Sequence, residues 1–429
     1  MTLRPLIGAV LAGVLASAAP ATPGAIDRSF GHGGRAARQI STTPLRLTDI
    51  LVRDDGRLIV GGASACGVGC VSPRAVGFDA DGRFDPGFSG EAAAGIRGCA
   101  VNRFALRLAG ALTVTTSDCL LDGEPTPTPA AVITGLNADG SLDTAFGEPG
   151  LGMLRLAGVR VVDAEARGGT LSLLSRRGEV IRVDQLGAAS LSGSPFALPS
   201  RVGDEHSTSA RLTVLALTPF GPVTGAEATR PAPVPPPSPA GAPVTVGRPT
   251  VPPPVGTVDV LTLARLRSGG AQDHRFLLAD VPREGPFGPA LVRSDGVVML
   301  VQVARRAPKP ALLVTRVSPG GVVADAGAGV ALDTLPAGLG TIDATVAPDV
   351  AIGPGGRIVV ALTTTTGRIA VVRLQRNGRI DDTFPVTTPP VPRGAWTPGA
   401  RVAVQPDGRI LLARGRSDGR VFVTRLLGE

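Results

Sequence analysis

The chain is 429 residues long, with 58 Gly, 40 Pro, 3% aromatic residues and no Tyr. Gly and Pro are costly inside helices, so this composition argues against a helical fold and for many short strands joined by tight turns. The net charge of +8 is carried almost wholly by Arg, with Lys309 the only lysine; the arginines are scattered singly without interleaved aromatics, which is not the footprint of a specific nucleic-acid binder.

In chain order, residues 1–21 come first. Arg4 precedes an apolar stretch from Leu6 to Leu15, and Ala16-Ser17-Ala18 follows. That layout predicts a secretory signal peptide, with cleavage after Ala18 or Ala21. The apolar stretch is shorter than the roughly 20 residues needed to span a bilayer, so no membrane span is expected. The mature chain, 22–429, is expected to be exported and extracellular or associated with the cell envelope.

The mature chain opens on Asp27 and Phe30, three residues apart, and the same pair then recurs. Gly77, Asp85 and Phe88 form one phrase, in which a strand residue is followed eight positions later by Asp and three further by Phe. Gly135, Asp143 and Phe146 repeat it, as do Arg265, Asp273 and Phe276, and then Arg373, Asp381 and Phe384. A second landmark is a turn glycine between two apolar runs: Gly56, Gly110, Gly169, Gly221, Gly296, Gly356 and Gly408. LVRDDGRLIVGG (51–62) and VAVQPDGRILLA (402–413) show it most clearly. Asp-Gly between apolar runs is a hairpin signal. Each hairpin is followed by a third strand, centred on Gly77, Gly135, Arg182, Arg265, Arg316, Arg373 or Arg425. Two landmarks each give seven units of four strands, here lettered A to D, and a period of this kind predicts a seven-bladed β-propeller.

The ends of the mature chain carry complementary half-phrases: Asp27 and Phe30 at the start, Arg425 on the last strand C. Joined, they complete one phrase, so an N-terminal strand is expected to close the C-terminal blade and leave no free sheet edge. An open β-solenoid or two β-sandwiches would be the alternative architecture.

NADGSLDTAFGEPG with its preceding strand, and VQPDGRILLARGRSDGRVFVTRL, resemble the delta-60 repeat of bacterial exported propellers. The resemblance implies a binding or scaffolding propeller without established chemistry. The third unit departs from it, with Arg182 spaced further from Ser192 and Phe196. The fifth, 317–325, has no Phe at the expected place.

The crowding of Asp79, Asp81 and Asp85 admits a calcium loop, but the alternating acids break off before the required six or seven oxygens are supplied. The alternative is that each motif Asp accepts backbone N–H bonds within its turn while its Phe fills the gap between blades. Uniform A–B and C–D turns on one face contrast with variable B–C loops on the other, above all a Pro-rich insertion at 225–254 in the fourth blade. Variable loops on a rigid frame are where binding residues concentrate. All four cysteines fall on that loop face; in an exported chain they are expected to pair, as Cys66–Cys70 and Cys99–Cys119. His32 and His274 sit in turns, and His206, with Asp204 and Glu205, in a loop. No catalytic, cofactor or metal motif is present. The expected function is therefore a non-enzymatic module binding a protein or cell-envelope component through the loop face. The alternative is a hydrolase or lactonase with a site in the central channel, which requires acidic or His side chains from several A strands to converge on the axis.

Overall fold

A computed structural model describes residues 22–67, 70–90, 100–117, 130–167, 170–175, 179–191, 211–219, 221–231, 257–267, 272–277, 279–304, 310–324, 330–331, 341–390, 392 and 394–428. The predicted signal peptide, Cys99, Cys119, Gly169, His206 and most of the Pro-rich segment lie outside them. The described chain is an all-β propeller of seven antiparallel blades. Blade 1 contains Leu45–Val52, Leu58–Gly67 and Cys70–Phe78; blade 2 contains Ala100–Leu106, Leu112–Ser117, Ala130–Leu136 and Met153–Ala157. Blades 3, 4 and 5 begin at Val161–Arg167, Arg211–Thr218 and Leu291–Val292, blade 6 at Asp349–Ile352 and blade 7 at Arg401–Val404. These seven opening strands are the innermost, against the axis.

The strand patterns explain the architecture. In blade 6, Ile358–Thr363 has no polar face: Ile358, Val360 and Leu362 pack against blade 5, whereas Val359 and Ala361 pack against blade 7. A sheet apolar on both sides cannot stand alone and must be stacked on both sides. Seven separate apolar clusters fill the seven seams between blades, including one that joins Leu411, Ala413, Val421 and Val423 of blade 7 to Leu47, Leu58 and Val60 of blade 1. The ring is thus closed. Among the described residues, the seam between blades 3 and 4 has the smallest cluster, built on Leu174, Val180, Leu215, Ala226, Ala264 and Leu266.

Closure follows the split phrase. Arg35–Gln39 pairs antiparallel with Arg420–Leu426, with Arg35 opposite Thr424 and Gln39 opposite Arg420. Upstream, the Asp27 N–H donates to the Arg425 carbonyl at 3.0 Å, the Arg425 N–H donates to the Gly34 carbonyl at 3.1 Å, and the Arg425 Nε donates to Asp27 Oδ2 at 2.8 Å.

Two local expectations need correction. Gly221 is not a turn residue; it opens the second strand of blade 4, Gly221–Pro231, opposite Thr218. That strand also absorbs residues 225–231 of the expected insertion, because Gly225 to Pro231 continue the ladder to Thr257–Arg265. The A–B turns are accordingly not uniform. Arg167 pairs with Thr170 in blade 3 and Thr218 with Gly221 in blade 4, whereas the corresponding pairs Val52–Leu58 and Val404–Ile410 enclose five residues.

Candidate functional site: the axial channel and the clasp around it

The repeated Asp–x–x–Phe turn divides the labour of its carboxylate between two oxygens. One accepts the N–H two residues on: Asp27 from Ser29 (3.1 Å), Asp85 from Gly87 (2.9 Å), Asp143 from Ala145 (3.1 Å), Asp273 from Arg275 (3.1 Å) and Asp381 from Thr383 (3.1 Å). The other oxygen faces a guanidinium. Arg265 reaches Asp273 through Nε and Nη2 at 2.9 and 2.7 Å, and Arg373 reaches Asp381 through Nε at 2.8 Å. The arginines lie over Phe276, Phe384 and Phe30 at 5.4, 4.8 and 4.7 Å from the ring centroids, within cation–π range. Asp79, one of the three crowded acids, accepts from the N–H groups of Asp81 and Arg83 in an Asx turn. Among the described residues, no His, Cys, Asp and Glu groups are placed to hold a metal ion.

Where strand C carries Gly, the guanidinium comes from elsewhere. A Cβ on Gly135 would stand 2.4 Å from Phe146 Cγ, so the ring occupies that space. Arg107, three residues before the Gly110 turn, supplies the charge instead: its Nη2 donates to Asp143 at 2.7 Å and its guanidinium lies over Phe146 at 4.8 Å. In blade 1, Phe88 fills the Gly77 position and Arg57 pairs with Asp85 at 3.5 Å. These arginines were missed in the sequence because they stand in the A–B turns, away from the strand carrying the repeat.

Four of these arginines, with Arg53 in blade 1, tie a blade to the next at five of the seven seams. Arg425, Arg53, Arg107 and Arg265 donate to the turn carbonyls of Ala80, Ala138, Gln185 and Pro319 at 2.6, 3.0, 2.8 and 2.5 Å, and Arg373 donates to that of Gly428. After four of the five Phe residues the next N–H bonds the following carbonyl: Gly31 to Asp81, Ser89 to Asp139, Gly147 to Leu186 and Leu277 to Gly320, at 2.6 to 2.8 Å; Phe384 is followed by Pro385, which has no N–H. The phrase is an inter-blade clasp.

At the axis, the innermost strands form a cavity of about 700 Å³. An innermost strand is a sheet edge whose inward N–H groups need partners. Acids of the preceding blade supply them. Asp49 accepts from Phe104 N–H (2.8 Å), Asp163 from Leu215 (2.9 Å), Glu165 from Leu217 (2.6 Å) and Asp349 from Val402 (2.6 Å). The ladder skips one residue just before Asp49, Arg103 and Asp163, a bulge that re-aims the side chain that follows. Arg103 pairs with Asp49 at 3.3 Å and Arg401 with Asp349 at 3.6 Å, while Arg401 Nε also donates to the Thr48 carbonyl at 2.5 Å. The charged wall therefore runs through blades 6, 7, 1, 2 and 3; blades 4 and 5 face it with Leu217, Pro289, Ala290, Leu291 and Val292.

Burial pushes the Asp349 and Asp163 carboxyls above the ordinary range, overriding Arg401 and Arg103 and the backbone N–H bonds. A carboxyl raised by folding contributes stability that is present below its unfolded pKa and is lost as pH rises through the folded value. Asp349→Asn keeps the acceptor for Val402 and removes the charge. Its stability relative to the parent is therefore expected to improve as pH rises from 4 to 8, measured by urea denaturation across that range; an offset independent of pH would contradict the assignment.

The loop face is represented by its described parts. Cys66 and Cys70 form a disulfide at the tip of the blade 1 hairpin, with Cα atoms 5.3 Å apart. Trp396 packs edge-on to Phe422 at 5.2 Å, beneath the Arg414 guanidinium at 4.6 Å. His32 and His274 lie in turns. No helix among the described residues is long and apolar enough to cross a membrane.

No protein-family model matches the chain, and no curated protein matches it. Solved structures do. The chain is similar to YCF48 from Cyanidioschyzon merolae, with TM-score 0.45 and 11% identity over 91% of this chain and 98% of that one. It is also similar to the WD40 β-propeller domain of Doa1, with TM-score 0.45 and 14% identity over 91% and 96%.

Proposed function

We propose that the chain is an exported binding module of the delta-60 propeller type, engaging a protein or cell-envelope component through its B–C loop face. One observation carries this reading. The axial acids that a channel enzyme would use are bound to edge N–H groups of the neighbouring blade, as Asp49, Asp163, Glu165 and Asp349 are. A carboxylate fixed by a backbone N–H serves the frame, which leaves the loops as the variable part. The disulfide at Cys66–Cys70 supports export, since such bonds persist in oxidising compartments.

The test is cross-linking and pull-down with the mature chain from the producing cells. Deletion of 232–256, joining Pro231 to Thr257 across their paired ends, and substitutions across 64–72 are expected to abolish capture of a partner that the intact chain retains. Capture unaffected by both changes would refute the reading.

A hydrolytic reading is favoured by the burial of Asp349 and Asp163, which raises both carboxyls, the direction in which a general acid is tuned. It predicts turnover of an ester or lactone that Asp349→Asn abolishes.

A further inference from the structure

At the loop face the axial channel opens into a second cavity of about 460 Å³, within the range of small-ligand sites. Three arginines from three blades line it: Arg46 of blade 1, Arg103 of blade 2 and Arg401 of blade 7. Its rim includes Ala65 and Val71, the residues flanking the disulfide-closed hairpin tip, so that wall is held covalently. We propose that this mouth binds a single anionic group, a carboxylate or a phosphate, carried on a small apolar body. The assignment rests on the binding reading above and deepens it by naming the chemistry that the loop face accepts.

The charges argue for an anion, and for its depth. Arg46 is exposed and makes no ion pair among the described residues. Arg103 gives Nε to Asp49, and Arg401 gives Nε to the Thr48 carbonyl and Nη1 towards Asp349, yet both side chains still line the cavity and remain about one-third exposed, at 33% and 32%. A guanidinium keeps its charge at any physiological pH and offers several donors in one plane, a geometry suited to carboxylate and phosphate oxygens. Deeper in, the balance reverses: Asp49, Asp163, Glu165 and Asp349 outnumber Arg103 and Arg401. An anion is attracted as far as the mouth and repelled beyond it. The apolar part of the ligand would face Ala65 and Val71.

The probes are inorganic phosphate and butyrate, titrated calorimetrically into the oxidised mature chain at low ionic strength. Saturable binding of at least one is expected. Phosphate alone would identify a phosphoryl ligand, butyrate alone a carboxylate ligand. Arg46→Gln, an exposed change, should weaken binding about tenfold, the effect of losing one charge-assisted hydrogen bond. Arg368→Gln, an exposed arginine in the blade 6 loop on the same face, should leave it unchanged. Asp349→Asn should strengthen it by removing a repelling charge below the mouth. Failure of both probes to bind, equal binding by Arg46→Gln, or weaker binding by Asp349→Asn would overturn the assignment. Those failures would leave the partner reading standing, because that reading is scored on the loops.

Discussion

Arg425→Ala is expected to destabilise the chain by about 3–5 kcal/mol, the usual effect of stripping one partner from a buried ion pair. Arg425 is only 1% exposed. Its Nε donates to Asp27, its Nη2 to Ser29 Oγ at 3.1 Å and its Nη1 to the Ala80 carbonyl at 2.6 Å. One side chain thus joins the last strand, the N-terminal segment and blade 1, so its loss strikes ring closure directly. Arg409, 3.3 Å from Asp27 but 41% exposed, compensates only in part. A variant with the Arg35–Gln39 strand released would also present Arg420–Leu426 as a free edge, and concentration-dependent association should follow. Urea denaturation and size-exclusion chromatography read the two effects; the control Arg379→Ala, exposed and outside the clasp, should stay within about 0.5 kcal/mol. The pH dependence has a definite sign. Burial raises the Asp27 carboxyl, but the Ser29 hydroxyl and N–H together with Arg425 and Arg409 bring it below 3.8 overall. Its contribution is therefore complete above that value and lost as pH falls through the lower folded pKa, a loss that Arg425→Ala should diminish.

The parts of this fold that were legible in the sequence share a property: each is local. The Gly56 and Gly408 turns and the eight-residue interval from Arg373 to Asp381 lie within one blade, and repetition makes local spacing visible. The split phrase at Asp27 and Arg425 was legible because an incomplete repeat at one end called for its complement at the other. What escaped was contact between blades. Asp49 to Phe104, Asp163 to Leu215 and Asp349 to Val402 span 55, 52 and 53 residues. Nothing in the immediate neighbourhood of Asp49 marks it as a ligand for an edge N–H one blade away. A signal was nevertheless present. Asp49 and Asp349 each stand seven residues before a turn glycine, Gly56 and Gly356, as do Arg103 and Arg401 before Gly110 and Gly408. Superposing the units on their turns, rather than on the Asp–Phe phrase, would have collected the charged ring. The same superposition would have shown that Arg53 and Arg107 appear where strand C has Gly77 and Gly135, and are absent where it has Arg265, Arg373 or Arg425, with blade 5 alone carrying both, Arg293 and Arg316. The Pro-rich segment misled at its boundary because Gly225 to Pro231 form ladder pairs that composition does not reveal.

That substitution of one arginine source for another yields the second large effect, and a double-mutant cycle isolates it. Arg107→Ala should cost about 2–3 kcal/mol, because Asp143 and the carbonyls of Leu112, Leu136 and Gln185 lose their common donor in a largely buried site. Gly135→Arg should also destabilise, by about 1–3 kcal/mol, since its Cβ would press on Phe146 and overfill the seam. It would in addition place a second guanidinium beside Arg107. Blades 4, 6 and 7, however, show that an arginine on strand C can meet the Asp, the Phe and the next blade's carbonyl together, as Arg265 does with Asp273, Phe276 and Pro319. With Arg107 removed, the Arg at 135 loses its like-charged neighbour and gains a vacant Asp143. The double variant should therefore be more stable than the sum of the single changes predicts, by at least about 1 kcal/mol, the range found for directly coupled residues. Additive losses would mean that the two arginine positions do not serve one site. A positive coupling would show that the clasp is a place in space between blades, which the chain can fill from strand C or from the A–B turn.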